Sequence, residues 1–229
     1  MTRGIFITGT DTGVGKTRVA AALLRALVAA NVRAAGMKPV SAGIEPGSQV
    51  NADVAALAAA DGLVVSDADR NPFAFAPAFA PHLAARDNGV TIDLETIAAA
   101  WTRLATVADV IVVEGAGGVL VPLGPKRDVL DIPARLRLPV LLVVGVRLGC
   151  LNHARLSAGA IRERGLGLAG WIANRIDQDM ARADDNVTEL TQWLDTPPLA
   201  DLRYGAPADI APAVLARLNL VALSSVANR

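Results

Sequence analysis

Residues 5–17 of the chain read IFITGTDTGVGKT. An apolar run ends at Gly9, a glycine-containing loop follows, and Lys16 and Thr17 open a segment with helical spacing. Strand, glycine loop and helix in this order form the setting of a phosphate-binding loop, because backbone N–H groups and the start of a helix favour an anion. Lys16 is expected to reach the terminal phosphates, and Thr17 to offer its hydroxyl to Mg²⁺.

The loop departs by one place from the common pattern G-x-x-x-x-G-K-[ST]. The first glycine of that pattern would fall at Thr10, whereas the chain has it at Gly9. Gly13, Gly15 and the lysine-threonine pair are all present, and the strand, loop and helix stand in the right order. The phosphate-binding interpretation is therefore preferred over a glycine-rich turn with an accidental lysine.

Composition indicates one domain spanning residues 1–229, with 52% hydrophobic and 19% charged residues and thus a sizeable core. Lys+Arg and Asp+Glu are both 22, so no net charge favours nucleic acid or an anionic membrane. Cys150 is the single cysteine, which excludes an internal disulfide and fits a reducing cytoplasm. No signal peptide and no apolar run of about 20 residues is present, so a cytoplasmic protein is expected.

Apolar rows at helical spacing predict a first helix from about Lys16 to Ala30, stopped by Asn31. Further helices are expected over 51–60 (capped by Asn51), 94–107, 152–165 (capped by Asn152), 180–194 and 210–218. Strands are expected at 5–9, 34–37, 110–113, 139–146 and 168–172. Residues 41–50 are expected to form a loop, and residues 71–81 an irregular packed one.

Continuous apolar strands that alternate with helices predict an α/β fold, a mostly parallel central sheet with helices on both faces. Ligands of such sheets bind at the carboxyl ends of the strands. The polar residues to inspect are therefore those that follow strands: residues 12–17, Lys38, Glu114, residues 149–152 and Asn174.

Oxygen ligands for Mg²⁺ are available from Thr17, Asp53 and Glu114. For Asp53 an equally weighted alternative is an acid that complements the dipole of its helix, and for Glu114 the alternative is a solvated turn carboxylate. Lys16 and Lys38 follow strands expected to be neighbours, so together they can neutralise a phosphoryl group during transfer.

His82, His153 and Cys150 are not assigned to the chemistry. Neither histidine has an obvious carboxylate or metal partner in the sequence, so both are interpreted as structural or rim residues. Cys150 is interpreted as a small buried residue rather than a nucleophile, because no motif around it supports covalent chemistry.

Six segments together resemble the dethiobiotin synthetase family, in the order in which that family has them. They are GTDTGVGKT (9–17), GMKPV (36–40), NAD (51–53), VEGAGG (113–118), VGVRLGCLNH (144–153) and AGWIAN (169–174). The phosphate loop alone is shared with many NTPases, whereas the other segments are more specific. The resemblance implies a P-loop NTPase-like ATP-dependent ligase domain.

The resemblance implies that ATP, CO₂ and 7,8-diaminopelargonate are converted to dethiobiotin, ADP and phosphate. One substrate amine takes up CO₂ as a carbamate, ATP phosphorylates the carbamate oxygen, and the second amine closes the ring and expels phosphate. The resemblance also implies Mg²⁺, and a homodimer in which residues 149–152 of the neighbouring subunit bind the distant carboxylate of the substrate.

The site residues implied by the resemblance fall into four groups. Thr12, Lys16 and Lys38 would be catalytic. Nucleotide binding would involve Gly13, Val14, Gly15, Lys16, Thr17, Arg18, Asp53, Glu114, Gly115, Ala116, Gly117, Asn174 (reading the adenine) and Arg175. Substrate binding would involve Thr12, Lys38, Ser41, Gly149, Cys150, Leu151 and Asn152. Thr17, Asp53 and Glu114 would hold the metal.

The chain also departs from the family pattern. The family often has a hydroxyl residue at the position of Ala42, whereas here the hydroxyl stands one place earlier, at Ser41. Some relatives have an acidic residue where this chain has Gly13. The region after Arg175 matches poorly, so no adenine-pocket residue is assigned there.

Two alternatives remain. Dimeric ATPase switches that position DNA or division proteins also use a glycine-lysine-threonine loop, but often with a lysine where this chain has Asp11 and with a basic or amphipathic tail. Residues 219–229 carry no basic cluster. The nearer alternative is another amide- or carbamate-forming ATPase of the same fold.

Overall fold

The computed structural model of the chain describes residues 3–220. The strands are β1 (Arg3–Gly9), β2 (Ala34–Met37), β3 (Val40–Ala42), β4 (Phe73–Phe75), β5 (Val110–Gly118), β6 (Pro122–Gly124), β7 (Arg127–Asp128), β8 (Val140–Val146), β9 (Leu168–Arg175) and β10 (Ala200–Leu202). The helices are α1 (Lys16–Ala29), α2 (Ala52–Asp61), α3 (Asp67–Arg70), α4 (Pro81–Asp87), α5 (Leu94–Leu104), α6 (Asp131–Leu136), α7 (Cys150–Glu163), α8 (Ala183–Trp193) and α9 (Pro212–Arg217).

The central sheet has six parallel strands in the order β10-β9-β8-β1-β5-β2. Two short ribbons, the parallel pair β3–β4 and the antiparallel pair β6–β7, form separate sheets. β1 lies inside the central sheet, and β2 and β10 are its edges. This confirms the predicted α/β architecture with a mostly parallel central sheet. The strands before Lys16 and Lys38 are not neighbours, contrary to the prediction, because β5 lies between β1 and β2.

Both faces of the sheet are buried, as alternate residues of β1 show. Phe6 belongs to one apolar core, with residues of α5, α7 and α8, whereas Ile5 and Ile7 belong to a second core with residues of α1, α2 and α9. The strands therefore need apolar side chains in both directions, which explains their continuous apolar runs. The predicted placement of helices on both faces is confirmed.

The carboxyl ends of β1, β2, β5 and β9 lie at the same end of the sheet. The phosphate loop follows β1, Lys38 follows β2 directly, Glu114 lies in the middle of the long strand β5, and Asn174 lies near the end of β9. Because these strands are parallel, their carboxyl ends bring the four segments to the same side of the molecule.

Several local predictions are confirmed. The first helix ends at Ala29, and Asn31 follows in a left-handed conformation with φ of 58°. Asn51 caps α2, since its side-chain oxygen accepts a hydrogen bond from the N–H of Asp53 at 3.0 Å. The helices expected near 94–107, 180–194 and 210–218 are also present, as α5, α8 and α9.

Other predictions are wrong in detail. The strand at 110–113 continues to Gly118, so Glu114 lies within β5 rather than in a turn after it. The expected loop 41–50 begins inside β3, and the expected irregular segment 71–81 contains β4 and the first residue of α4. β3 and β4 pair with each other across a long stretch of chain, and local sequence patterns do not reveal such pairing.

The tail holds one strand that the sequence did not predict, β10, which pairs with β9. The short elements α3, α4, α6, β6 and β7 were not predicted either. Residues 221–229, most of the tail expected to lack a basic cluster, lie outside the described residues. Between residues 3 and 220, no helix has the length and apolar character needed to cross a membrane.

Gly36 of β2 is predicted to be essential for the packing of α1 and α2 on the sheet. A Cβ at this position would lie 2.8 Å from Leu57 Cβ and 2.9 Å from Leu24 Cδ1. Gly36→Ala should therefore lower the free energy of unfolding by about 1–3 kcal/mol, measured by urea denaturation. Gly159→Ala is the control, because a Cβ there meets no atom within 4 Å and alanine favours the helix. Equal stability of Gly36→Ala and the wild type would contradict this packing.

Candidate active site

The phosphate loop between β1 and α1 has two glycines in the left-handed region, Gly13 and Gly15, with φ of 73° and 90°. Other residues adopt this conformation only with strain. A Cβ on Gly15 would also lie 2.1 Å from Asn174 Nδ2. Asn174 donates a hydrogen bond to the carbonyl of Val14 at 2.7 Å, so the end of β9 supports the loop.

Lys16 opens α1 and is only 6% exposed. Its Nζ donates to the carbonyl of Asp11 at 3.0 Å, which brings the ammonium back over the loop. Burial lowers the pKa of Lys16 to about 8, and the positive charge of Lys38 acts in the same direction. An anion bound in the loop would relieve both effects.

Lys38, Thr17, Asp53 and Glu114 form one hydrogen-bonded cluster. Lys38 Nζ lies 2.8 Å from Asp53 Oδ2 and 2.5 Å from Glu114 Oε1. Thr17 Oγ1 lies 2.7 Å from Asp53 Oδ1 and 2.9 Å from Glu114 Oε1. The structure thus brings together four residues that the sequence predicted for the site from four different segments.

The charges of this cluster stabilise one another inside the protein. Lys38 is 4% exposed and Glu114 is completely buried. Burial alone would lower the pKa of Lys38, but the charges of Glu114 and Asp53 outweigh it and raise that pKa. Burial likewise opposes ionisation of Asp53, yet Lys38 holds the pKa of Asp53 below its usual value. Lys38 therefore stays charged, whereas Lys16 titrates near pH 8.

The cluster has the oxygen donors that Mg²⁺ prefers. Glu114 Oε2 is buried and has no hydrogen-bond partner, although such atoms are normally satisfied. The described residues contain no group of three or more His, Cys, Asp or Glu side chains that could hold a metal ion. Two carboxylates and a hydroxyl suit Mg²⁺, which completes its shell with phosphate oxygens and water. The three predicted metal ligands thus fit the ion, and their role stays a prediction.

A cavity of about 700 Å³ opens above this cluster. Its polar floor includes Thr12, Lys16, Thr17, Lys38, Asp53 and Glu114. Its apolar walls are Val40, Ala78, Phe79, Ala80, Pro81 and Val121. Residues 78–81 were not predicted as site residues, although three prolines and three of the four phenylalanines between 71 and 81 indicated a packed segment. A slightly larger cavity between α5 and α6 contains none of the predicted site residues.

Arg18 and Arg175 both lie near the end of β9 but make different contacts. Arg18 donates to Asn174 Oδ1 at 2.5 Å and to the carbonyls of Arg203 and Ala206. Arg18 therefore joins the phosphate loop to the segment after β10. Arg175 forms ion pairs with Asp201 and Asp184, at 2.7 and 2.5 Å, and these raise its pKa further. Both arginines stay predicted nucleotide-binding residues.

Ser41 and Ala42 both line the cavity, at the position where the family often has a hydroxyl. The hydroxyl of Ser41 is buried and donates to Asn71 Oδ1 at 2.7 Å. The hydroxyl hydrogen of Ser41 is therefore already used in a hydrogen bond within the protein. Ala116 and Gly117 border the same cavity from the end of β5.

The start of α7 differs from the prediction. Gly149 is the N-cap residue, and Asn152 lies within the first turn of the helix rather than at its cap. Residues 149–152 do not line the cavity above Lys38 within one protomer. Arg147, just before this turn, pairs with Asp11 of the phosphate loop at 2.6 Å.

Cys150 and the two histidines fit their predicted structural roles. Cys150 is fully buried, and burial raises the pKa of its thiol, which makes it a poor nucleophile. Within the described part of the chain, the side chains of His82 and His153 form no ion pair, and His82 Nδ1 is buried without a hydrogen-bond partner.

Comparison with known proteins identifies the family. A family profile described as an AAA domain matches residues 3–208. The ATP-dependent dethiobiotin synthetase BioD of Nitrosospira multiformis (strain ATCC 25196 / NCIMB 11849 / C 71) is 52% identical over 204 residues, which cover 89% of each protein. The chain belongs to the ATP-dependent dethiobiotin synthetase family. As a dethiobiotin synthetase family member it is an enzyme, an ATP-dependent ligase.

Solved structures show that this dethiobiotin synthetase family member has a P-loop NTPase-like fold. The septum site-determining protein MinD of Pyrococcus horikoshii OT3, complexed with Mg-ADP, matches 95% of this chain and 85% of its own with a TM-score of 0.54 and 18% identity. A ParA family ATPase from Chlorobium tepidum TLS matches 99% of this chain and 95% of its own, with a TM-score of 0.50 and 16% identity. At these identities the likeness shows the fold alone, so it gives no support to the ATPase-switch alternative.

Lys16 is predicted to take up a proton when nucleotide binds. Phosphate oxygens raise the pKa of a nearby lysine, and the pKa of Lys16 in the free protein is about 8. ADP binding at pH 8 should therefore take up about half a proton, and at about pH 6 Lys16 should contribute none, because it is already charged. Calorimetry in buffers with different ionisation enthalpies measures this uptake.

The control for proton uptake is Lys16→Gln, which removes the titrating group. This variant should bind ADP more weakly, without proton uptake at pH 8, and its turnover should fall by about 10²-fold or more. Uptake of the same size in Lys16→Gln and the wild type would show that Lys16 does not contact the phosphates.

Proposed function

We propose that the protein closes the ureido ring of dethiobiotin from 7,8-diaminopelargonate and CO₂, converting ATP to ADP and phosphate as a step of biotin biosynthesis. One observation carries the proposal: a buried lysine, paired with two carboxylates, stands beside the phosphate loop, on the floor of a cavity with apolar walls. Dethiobiotin is proposed as the product because the chain belongs to the dethiobiotin synthetase family.

ATP would be held by the loop that begins at Thr12 and by the first residues of α1, with Lys16 on its terminal phosphates. Thr17, Asp53 and Glu114 would hold Mg²⁺, and the buried unpaired oxygen of Glu114 supports this donor set. The bound ion would neutralise charge on the phosphates. Asn174 and Arg175, at the end of β9, would lie towards the adenine.

The chemistry requires control of charge more than transfer of protons. An amine nitrogen attacks CO₂ and loses a proton, and the resulting carbamate oxygen attacks the γ-phosphorus while ADP leaves. The second amine then attacks the carbamoyl carbon and loses a proton, and phosphate leaves as the ring closes. Lys38 and Lys16 would stabilise negative charge on the carbamate and on the transferring phosphoryl group. Such a site needs no histidine base, and neither His82 nor His153 lines the cavity.

The aliphatic chain of the substrate would lie along the apolar walls of the cavity, which include Phe79 and Val121. Its distant carboxylate needs a separate anchor. Within the described residues the N–H groups of Leu151 and Asn152 donate to no backbone carbonyl, and a helix start favours an anion. Since this turn does not border the cavity of its own protomer, the anchor would come from the second subunit of a homodimer.

The experiment that tests the proposed function is an assay of ADP release with 7,8-diaminopelargonate and bicarbonate, compared with other amine and carboxylate acceptors. ADP release should depend on this diamine. The chain has only three lysines, so Lys38→Gln can be compared with Lys126→Gln, an exposed lysine outside the site. Lys38→Gln should lose about 10²-fold or more in turnover and retain ADP binding, whereas Lys126→Gln should match the wild type. Faster turnover of another acceptor would favour a different amide-forming ATPase.

The shared site predicts complementation between two inactive variants. One carries Lys16→Ala, and the other carries Asn152→Glu, which repels a carboxylate and changes an exposed residue. In a mixed dimer one of the two sites has both halves intact, so random pairing should restore about a quarter of wild-type activity. If subunit exchange is demonstrated and no activity returns, the carboxylate is held within one chain.

A further inference from the structure

β2 is an edge strand of the central sheet. Near Lys38, however, its outward-facing backbone N–H and carbonyl groups all have hydrogen-bond partners. Outward-facing backbone groups alternate along a strand, and here they belong to Gly36 and Lys38. The N–H of Gly36 donates to Asp61 Oδ2 at 2.7 Å, and its carbonyl accepts from Arg70 Nη1 at 2.9 Å. Side chains thus take the place of a neighbouring strand.

Arg70 and its neighbour Asn71 also hold the backbone of Lys38. The N–H of Lys38 donates to the carbonyl of Arg70 at 2.8 Å, and its own carbonyl accepts from Asn71 Nδ2 at 2.6 Å. β2 ends at Met37 and Pro39 follows, so Lys38 has no ladder partner in the sheet. These two bonds fix the backbone from which the Lys38 side chain extends.

The Asp61–Arg70 pair is itself buried, with side-chain exposures of 0% and 3%. Arg70 Nη2 lies 3.2 Å from Asp61 Oδ1 and 3.1 Å from the carbonyl of Leu63. The N–H of Leu63 donates to Asp61 Oδ1 at 2.9 Å. Buried ion pairs are costly unless hydrogen bonds satisfy their remaining polar atoms, and this pair meets that condition. It adds little to stability over an apolar pair, so a role in positioning explains it better.

We propose that Asp61, Arg70 and Asn71, here called the edge clamp, are positioning residues for the reaction that hold Lys38 Nζ against Glu114. The edge clamp rests on the proposed function of Lys38 and extends it. The clamp holds the end of β2 from the side that faces away from β5. In this position Lys38 Nζ lies 2.5 Å from Glu114 Oε1 and 2.8 Å from Asp53 Oδ2. Without it, the chain end beyond Met37 can move away from β5 and carry the ammonium with it.

The test compares two arginine-to-glutamine changes near β2, one at its free edge and one just before its first residue. Arg70→Gln breaks the buried pair of the clamp, whereas Arg33→Gln breaks the exposed Arg33–Asp109 pair just before the strand. A displacement of about 1 Å at a reacting group costs up to about 10²-fold in rate, so kcat of Arg70→Gln with ATP, bicarbonate and 7,8-diaminopelargonate should fall by about 10- to 100-fold. ADP affinity by calorimetry and the KM for ATP should stay unchanged, since the phosphate loop is held by β1 and β9. Arg33→Gln should match the wild type throughout.

Crystal structures of both variants separate the clamp from the function of Lys38. Lys38 Nζ displaced from Glu114 together with a reduced kcat supports the proposal. Nζ in its wild-type position, or an equal loss in Arg33→Gln, overturns the clamp. Nζ displaced with wild-type turnover shows instead that Lys38 lacks its proposed role in the reaction, and the clamp then positions nothing catalytic. If Arg70→Gln does not fold, Asn71→Ala, which removes the bond to the Lys38 carbonyl, is measured by the same criteria.

Discussion

The salt bridge between Lys38 and Glu114 is the interaction on which the rest of the site depends. Glu114 is completely buried within β5, and a buried carboxylate is costly without a cation and hydrogen bonds. Lys38 supplies the cation from the end of the neighbouring strand, and Thr17 lies within hydrogen-bond distance of the same oxygen. The parallel pairing of β2, β5 and β1 is what allows the three side chains to meet.

The two lysines of the site have different electrostatic surroundings, and the difference suits their proposed tasks. Burial of Lys38 is compensated by two carboxylates, which raise its pKa above the ordinary value. Lys16 is buried near another cation, and its pKa is lowered to about 8. Lys16 therefore gains most from a bound polyanion, as expected for a residue whose partner is the nucleotide. Lys38 is organised in advance for a group that arrives uncharged or becomes charged during the reaction.

Side-chain contacts on two sides hold the end of the sheet that carries the candidate site. Asn174 and Arg18 connect the phosphate loop with β9 and with the segment after β10. On the opposite side, Arg70 and Asn71 satisfy the free edge of β2. These contacts join residues that are far apart in sequence, and most of them hold backbone atoms in place. The site is thus positioned by two lateral supports as well as by the strands themselves.

The sequence by itself determined the fold class and the floor of the site. Strand, glycine loop and helix define the phosphate loop locally, and polar residues after apolar strands identified Lys38, Glu114 and Asn174, because parallel strands bring their ends together. Asn51 was likewise recognised as a helix cap, since capping depends on adjacent residues. Only the tertiary structure decided the contacts made at long range. The β3–β4 pairing, the cavity wall at Phe79 and the buried Asp61–Arg70 pair have no local signature, because their energy comes from partners that folding alone brings together.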